Sequence, residues 1–251
     1  MVGQWRSPLG EGSLNICLSI VLPCYNEADN LPLLLKGYRQ VWRDLPAELI
    51  LVDNGSTDPT PAVLARELVR PELAFARTVR VPQNRGYGHG LYTGLRAARG
   101  EFVAFSHADM QCSPADVFRA YDRLRTAPNP DQTLVKGQRS GREFSAVLIT
   151  AGMSLLASTV LLTLLTDINA QPKVFHRSHL DRLTEPPDGF QFDLYVLYRA
   201  RQAGMKILTI PVVFGERMHG QSKSAFNVFA RYRTIWAIVT YIFRLRFGGA
   251  T

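Results

Sequence analysis

A chain of 251 residues, 46% hydrophobic and 20% charged, carries enough apolar side chain for one large core, which excludes a disordered or fibrous protein. Its net charge of +8 favours a polyanionic partner: a nucleotide, a nucleic acid or an anionic lipid surface. The three cysteines (Cys17, Cys24, Cys112) lack any metal-ligand spacing, and their odd number argues against a disulfide framework, so reduced thiols in a cytoplasmic setting are expected.

In chain order, Met1–Ser13 is polar and broken by Gly and Pro, unlike a secretory leader. Short β-rich runs then alternate with helical patterns. Leu18–Leu22, Glu48–Val52, Thr78–Val81, Glu101–Phe105 and Thr133–Lys136 read as strands. Between them, Leu31–Trp42, Pro61–Val69, Tyr87–Ala98 and Pro114–Arg125 read as helices, and Thr126–Gln132 as a Pro/Asn loop. Strands and helices alternating at these lengths predict βαβ units and a mainly parallel sheet flanked by helices, an α/β fold.

The second half changes character. Phe144–Leu165 runs for 22 residues without a charge, long enough to cross a bilayer. Yet it holds Ser145, Thr150, Gly152, Ser154, Ser158, Thr159 and Thr163, and it is read as an amphipathic helix lying at a membrane interface. Gly189–Ala203 is predicted helical, and Lys206–Val213 a strand carrying Pro211. From Arg217 to Thr251 there are six Lys and Arg residues and no acidic one. Aromatic and aliphatic residues recur there at helical spacing between Arg231, Arg233, Arg244 and Arg246. A basic amphipathic helix over 226–251, lying on an anionic leaflet, is expected.

Chemistry concentrates where strands end. Gly100–Phe105 runs into His107, Asp109 and Gln111, three metal-competent side chains on alternate positions that an extended backbone would turn to one face. Open α/β sheets bind ligands outside the carboxyl ends of their strands. By itself the triplet equally fits a polar strand-to-helix loop. The first strand ends in Pro23-Cys24-Tyr25-Asn26-Glu27 and the second in Asp53-Asn54-Gly55-Ser56-Thr57-Asp58. Asn84-Arg85-Gly86-Tyr87-Gly88-His89-Gly90 opens a helix and offers close backbone approach to an anion.

These segments in this order resemble the family 2 glycosyltransferases of the GT-A fold. Asp167-Ile-Asn-Ala-Gln-Pro-Lys173, Gln191-Phe-Asp193 and Ile210–Lys223 are similar to the branch containing dolichyl-phosphate mannose synthases and bacterial polyprenyl-phosphate glycosyltransferases. The resemblance covers roughly residues 17 to 225, so the glycosyltransferase domain is placed at 14–225. It implies that Pro23, Tyr25, Glu27 and Asp53 hold the base and ribose of a nucleotide sugar, joined in donor binding by Gly86, Ala108, Asp109, Arg217 and Lys223. It implies a divalent metal, Mn²⁺ or Mg²⁺, at His107, Asp109 and Gln111, catalytic roles for Asp109 and Asp167, and acceptor-phosphate contacts from Arg139, Arg142 and Ser222.

Three departures stand out. The metal motif of the family usually begins with Asp where this chain has His107, and imidazole suits Mn²⁺ better than Mg²⁺. Asn54 stands where a second Asp is common. Thr150 stands where an Arg four residues before Ser154 is expected, which leaves the acceptor phosphate to Arg139 and Arg142.

A phosphate acceptor arrives deprotonated and needs no strong general base. Gln191-Phe192-Asp193 lies where hydroxyl-acceptor relatives show a Glu-Asp pair, which supports a polyprenyl-phosphate acceptor. The sequence thus predicts an inverting transfer from a nucleotide-diphospho-sugar to a lipid phosphate, by an enzyme peripheral on the cytoplasmic face of a membrane. The alternatives are a soluble relative with a hydroxyl acceptor, and a nucleotide-sugar-binding protein with weakened catalysis. Nucleic acid is not an expected partner, because no basic–aromatic platform is evident on the sheet. Sugar, base and oligomeric state are left open.

Overall fold

A computed structural model describes residues 16–141, 144–215 and 228–248. Its centre is a seven-stranded sheet in the order β3-β2-β1-β4-β6-β5-β7. The strands are β1 (Leu18–Cys24), β2 (Ala47–Asn54), β3 (Ala76–Val81), β4 (Phe102–Phe105), β5 (Thr133–Ser140), β6 (Lys173–His176) and β7 (Lys206–Val213). β6 runs antiparallel to both its neighbours, and every other pair is parallel. The fold class is therefore as expected, with one strand the sequence reading omits. β6 is four residues long and opens on a lysine, so it carries little strand signal.

The parallel strands read as apolar runs because both faces are covered. On one face, Ile20, Leu22, Leu49, Leu51 and Ala104 pack against α1 (Leu31–Val41), α2 (Thr60–Glu67) and α4 (Pro114–Arg125). Leu31, Leu34, Leu35 and Tyr38 form the buried stripe of α1, with Pro32 in its first turn. On the other face, Val21, Ile50, Val52, Val103, Phe105 and Phe175 meet α3 (Tyr87–Arg96), α5 (Phe144–Leu161), α6 (Phe192–Gln202) and α7 (Val228–Phe247). All parallel strands end on one edge. Chain direction across the sheet reverses between β1 and β4, which makes the crevice beyond their carboxyl ends the natural ligand position.

α5 ends at Leu161, four residues short of the end of the segment 144–165 read from the sequence, and Leu162 turns the chain at φ 53°. Its hydroxyl residues Thr150, Ser154 and Ser158, spaced four apart, face inward to line a cleft. Its outer face carries Leu148 and Leu155, 62% and 69% exposed, of which Leu155 also borders the cleft; Leu162, 72% exposed, follows in the turn. The polar stripe points in and the leucines point out. No helix among the described residues is long and apolar enough to cross a membrane.

Candidate active site at the carboxyl edge of the sheet

The loops after β1 and β2 are stitched together by side chains. The Asn26 backbone N–H donates to Ser56 Oγ (3.1 Å), and Thr57 N–H donates to Asn26 Oδ1 (2.9 Å). Glu27 N–H reaches Thr60 Oγ1 at 2.8 Å, and Ala28 N–H reaches Asp58 at 3.3 Å. Asn26 adopts φ 57°, a left-handed turn that Asn tolerates better than most residues. Pro23 lies in β1 just before this loop, and Tyr25 is half-buried within it. Glu27 accepts from Asn30 Nδ2 at 2.6 Å. Asp53, buried at the end of β2, accepts from Ser56 N–H at 3.0 Å and faces Arg80 at 3.6 Å. Four of the expected donor-binding residues thus share one rim of the crevice.

Two expectations change in form. The glycine-rich turn does bring a backbone close, but to the protein's own chain. A Cβ on Gly86 would stand 2.3 Å from the Asp188 carbonyl, and one on Gly88 would stand 2.1 Å from that of Pro187. His89 N–H donates to the Asp188 carbonyl at 3.1 Å, and Arg85 pairs with the Asp188 carboxylate at 2.9 Å. The segment 187–189 therefore fills the space beside Gly86 that the sequence reading gave to an anion.

The second change concerns His107, Asp109 and Gln111. β4 ends at Phe105, and Met110 has φ 62°, so residues 107–111 bend and are not extended. Alternate residues therefore do not share a strand face there, contrary to the expectation. Gln111 N–H folds back to Asp109 Oδ1 at 3.2 Å, and Gln111 exchanges hydrogen bonds with Gly215, the backbone N–H of 215 donating to its carbonyl at 2.9 Å. Asp109 and Ala108 are buried, while His107 is half-buried with its ring 5.9 Å from Tyr87. Among the described residues no three His, Cys, Asp or Glu side chains form a complete metal-ligand group.

Beyond β5 the structure brings Arg139 and Asp167 together across 28 residues of sequence. Arg139 donates its backbone N–H to Asp167 Oδ2 (2.8 Å) and Nε to Oδ1 (2.8 Å), and its Nη2 also bonds Oδ1. Burial alone would raise the Asp167 carboxyl, but these donors outweigh it and hold the group below the usual carboxylate range. Asp167 adopts φ 41° and does not cap a helix. The pair lies in the wall of a cleft of about 410 Å³, completed by Gln138, Thr150, Ser154, Ser158 and Leu165.

Behind the pair lies a polar cluster that joins two of the motifs read from the sequence, Asp167–Lys173 and Gln191–Asp193, in a pairing the sequence does not show. Lys173 Nζ ion-pairs with Asp193 and donates to the Ala170 carbonyl (3.1 Å), while Gln171 Nε2 donates to Asp193 at 2.8 Å. Tyr87 hydrogen-bonds Asp193, and burial with that carboxylate keeps its phenol protonated. Tyr87 is stacked on Phe190 with ring centroids 5.4 Å apart. Asp193 is thus neutralised inside the fold. The available signal was a lysine in each of two otherwise apolar runs, Lys136 in β5 and Lys173 in β6. Arg142, Arg217, Ser222 and Lys223 lie outside the described residues.

Residues 19–183 match the Glycosyl transferase family 2 profile. Among curated relatives, the chain is 26% identical over 220 residues to a dolichyl-phosphate beta-glucosyltransferase of Dictyostelium discoideum, covering 80% of this chain and 67% of that protein. It is 28% identical over 218 residues to an undecaprenyl-phosphate 4-deoxy-4-formamido-L-arabinose transferase of Sodalis glossinidius, covering 82% of this chain and 62% of the relative. The chain spans a little under two thirds of the length of this relative and of its counterparts in Photorhabdus laumondii and Pseudomonas fluorescens. Among solved structures it resembles glucosyl-3-phosphoglycerate synthase from Mycobacterium tuberculosis in complex with Mn²⁺, UDP and glucosyl-3-phosphoglycerate (TM-score 0.69, 21% identity, 99% of this chain and 88% of that one). It also resembles a mannosyltransferase from Pyrobaculum calidifontis in complex with GDP-Man and Mn²⁺ (TM-score 0.62, 24% identity, 92% and 70% covered). With the parallel sheet, the reversal at β1 and β4 and the ordered loops on its carboxyl edge, this match establishes that the chain belongs to glycosyl transferase family 2 and has the GT-A fold.

Proposed function

We propose that the protein is an inverting glycosyltransferase that moves a sugar from a nucleotide-diphospho-sugar to a polyprenyl phosphate. The observation that carries this reading is the Asp167–Arg139 pair. The carboxylate in the wall of the cleft is already engaged by three donors and held well ionised, which makes it a poor general base. The other acid at that end, Asp193, is buried against Lys173. An acceptor hydroxyl would need a base, whereas a phosphate oxygen does not. The curated relatives named above act on dolichyl and undecaprenyl phosphate, and they support the same acceptor class.

In this reading Pro23, Tyr25, Glu27 and Asp53 hold the nucleoside, and Gly86 with Ala108 shapes the floor. Asp109, with His107 and Gln111, takes a divalent cation. One carboxylate, one imidazole and one amide fit a cation completed by the donor's diphosphate oxygens and not held by protein alone, and that donor set suits Mn²⁺. When bound, the metal would stabilise charge on the leaving diphosphate. Arg139, with Arg142 and Ser222, receives the acceptor phosphate. Arg217 and Lys223 are assigned the neutralisation of the donor's diphosphate.

α5 packs on α7, and while α5 exposes leucines, α7 exposes Trp236, Phe243 and Phe247 together with Arg233, Arg244 and Arg246. Apolar and aromatic groups ringed by arginine suit an anionic leaflet, so the enzyme is read as peripheral on the cytoplasmic face of a membrane. A donor screen with a polyprenyl phosphate in detergent, run with Mn²⁺, Mg²⁺ and EDTA, tests the function. Lipid-linked sugar formed only with metal is the expected product. Transfer to a free alcohol and not to the phosphate would replace this reading with the hydroxyl-acceptor one.

A further inference from the structure

Lys136 and Lys173 stand directly opposite each other across β5 and β6, and both side chains are fully buried. Two like charges so placed are unfavourable unless each is answered. Lys173 is answered by Asp193. Lys136 is not: its Nζ donates to two backbone carbonyls, Gly137 and Asp167, each at 3.1 Å, and among the described residues it ion-pairs with no carboxylate. Among the described residues, the charged groups acting in this buried cluster are three cations (Lys136, Lys173, Arg139) and two carboxylates (Asp167, Asp193). Arg139 and Asp167, the charged groups lining the cleft, cancel each other. The surplus positive charge sits on Lys136, immediately behind them.

We propose that Lys136 is a positioning residue for the acceptor: its ammonium pins the Asp167 carbonyl and gives the cleft beside Arg139 the net positive charge that an acceptor phosphate answers. The Asp167 carbonyl also accepts from Ala170 N–H at 3.0 Å, so the left-handed turn at Asp167 is held from both sides while its carboxylate orients Arg139. An anion reaching the Arg139 end of the cleft then meets an aligned guanidinium backed by an unpaired buried charge. At these short range distances in a low-dielectric wall, loss of one charge is expected to weaken anion binding by roughly tenfold or more.

Burial, and after it repulsion from Lys173, pushes the Lys136 ammonium down to about 8. The charged groups facing it are Lys173, Asp167, Arg139 and Asp193. The surplus charge is therefore present below about pH 8 and fades above it, whereas a phosphate monoester (second pKa about 6) stays dianionic throughout.

The inference rests on the acceptor being a phosphate, and the test separates the two claims. Farnesyl phosphate is titrated into the wild-type full-length chain in detergent at pH 7 and pH 9, with farnesol and inorganic phosphate as controls. The same titrations at pH 7 use Lys136→Met, with its melting curve and its affinity for nucleoside diphosphate measured alongside. The expected result is farnesyl phosphate binding severalfold weaker at pH 9 than at pH 7, and a tenfold rise in its Kd in Lys136→Met with nucleotide affinity unchanged. Equal wild-type binding at both pH values overturns the role of Lys136 and leaves the acceptor reading standing, even if the variant does not fold. A wild-type chain that binds nucleotide but not farnesyl phosphate overturns both. A folded Lys136→Met that loses donor and acceptor affinity alike reduces the residue to a structural one.

Discussion

The Asn54 carboxamide and Gly90 fit against each other at the mouth of the crevice: Nδ2 of Asn54 donates to the Gly86 carbonyl at 3.0 Å, and a Cβ on Gly90 would stand 2.5 Å from Asn54 Cγ. Two loops that flank the donor side are thereby joined. An aspartate at 54 could not donate, and its second oxygen would face a carbonyl. Asn54→Asp should cost about 1–3 kcal/mol, the usual penalty for an unmatched buried polar group. Gly90→Ala should cost a similar amount, about 1–3 kcal/mol, by overpacking. Urea denaturation measures both, and wild-type midpoints in the two variants would remove the fit as an explanation for Asn54.

His107 is the position on which metal preference should turn. His107→Asp adds a hard oxygen donor and a negative charge beside Asp109. Activity supported by Mg²⁺ is expected to rise severalfold relative to that with Mn²⁺. An unchanged Mg²⁺ to Mn²⁺ ratio would place the metal elsewhere.

The Arg139–Asp167 pair is largely buried, with side chains 10% and 15% exposed. Removing one partner leaves the other's buried charge poorly compensated, so Arg139→Met and Asp167→Asn should each destabilise by about 3 kcal/mol. The double variant Arg139→Met/Asp167→Asn should cost less than the sum, which a double-mutant cycle reads directly. Because the folded carboxyl titrates below its unfolded value, its contribution is complete above about pH 4 and is lost as pH falls through the folded value. Additive singles would show that the pair is not energetically coupled.

His179 gives a second, distinct acid response. Burial pushes its imidazole down to about 4, and its ring meets the edge of Phe175 at 5.3 Å. Between pH 6.5 and 4 the unfolded chain binds a proton that the folded chain does not, so stability should fall as pH drops through that window. His179→Phe should flatten that slope in denaturation curves taken at pH 7, 6 and 5. A slope that persists in the variant would assign it to other groups.

Leu148 on α5 and Leu162 in the turn after it are two points of the outward apolar surface, and neither lines the cleft. Replacing both with Glu should abolish flotation with anionic vesicles while leaving turnover of a short, detergent-dispersed acceptor within about twofold. Flotation equal to wild type would mean that this face does not meet lipid.

Much of the sheet is legible in the sequence because its strands are buried on both faces. Leu18–Leu22 and Glu48–Val52 are runs that leave little choice. β6 is illegible for the opposite reason, since its first residue is a buried lysine whose partner Asp193 lies 20 residues on. The order of the ligand-facing loops could be read, and it located the crevice. Their internal geometry could not. Met110 breaks the alternation that would align His107, Asp109 and Gln111, and the union of Arg139 with Asp167 is a tertiary event that no local spacing encodes.

The contact between the glycine-rich turn and residues 187–189 also limits how this enzyme can be recombined. The carbonyls of Pro187 and Asp188 occupy volume that only glycine at 88 and 86 leaves vacant, and Arg85 and His89 grip the same aspartate. A hybrid joining these first strands to the latter half of another family member would meet at that seam. It should assemble only where the incoming segment presents a backbone of the same path, so the two halves are expected to be exchanged as matched sets and not as independent modules.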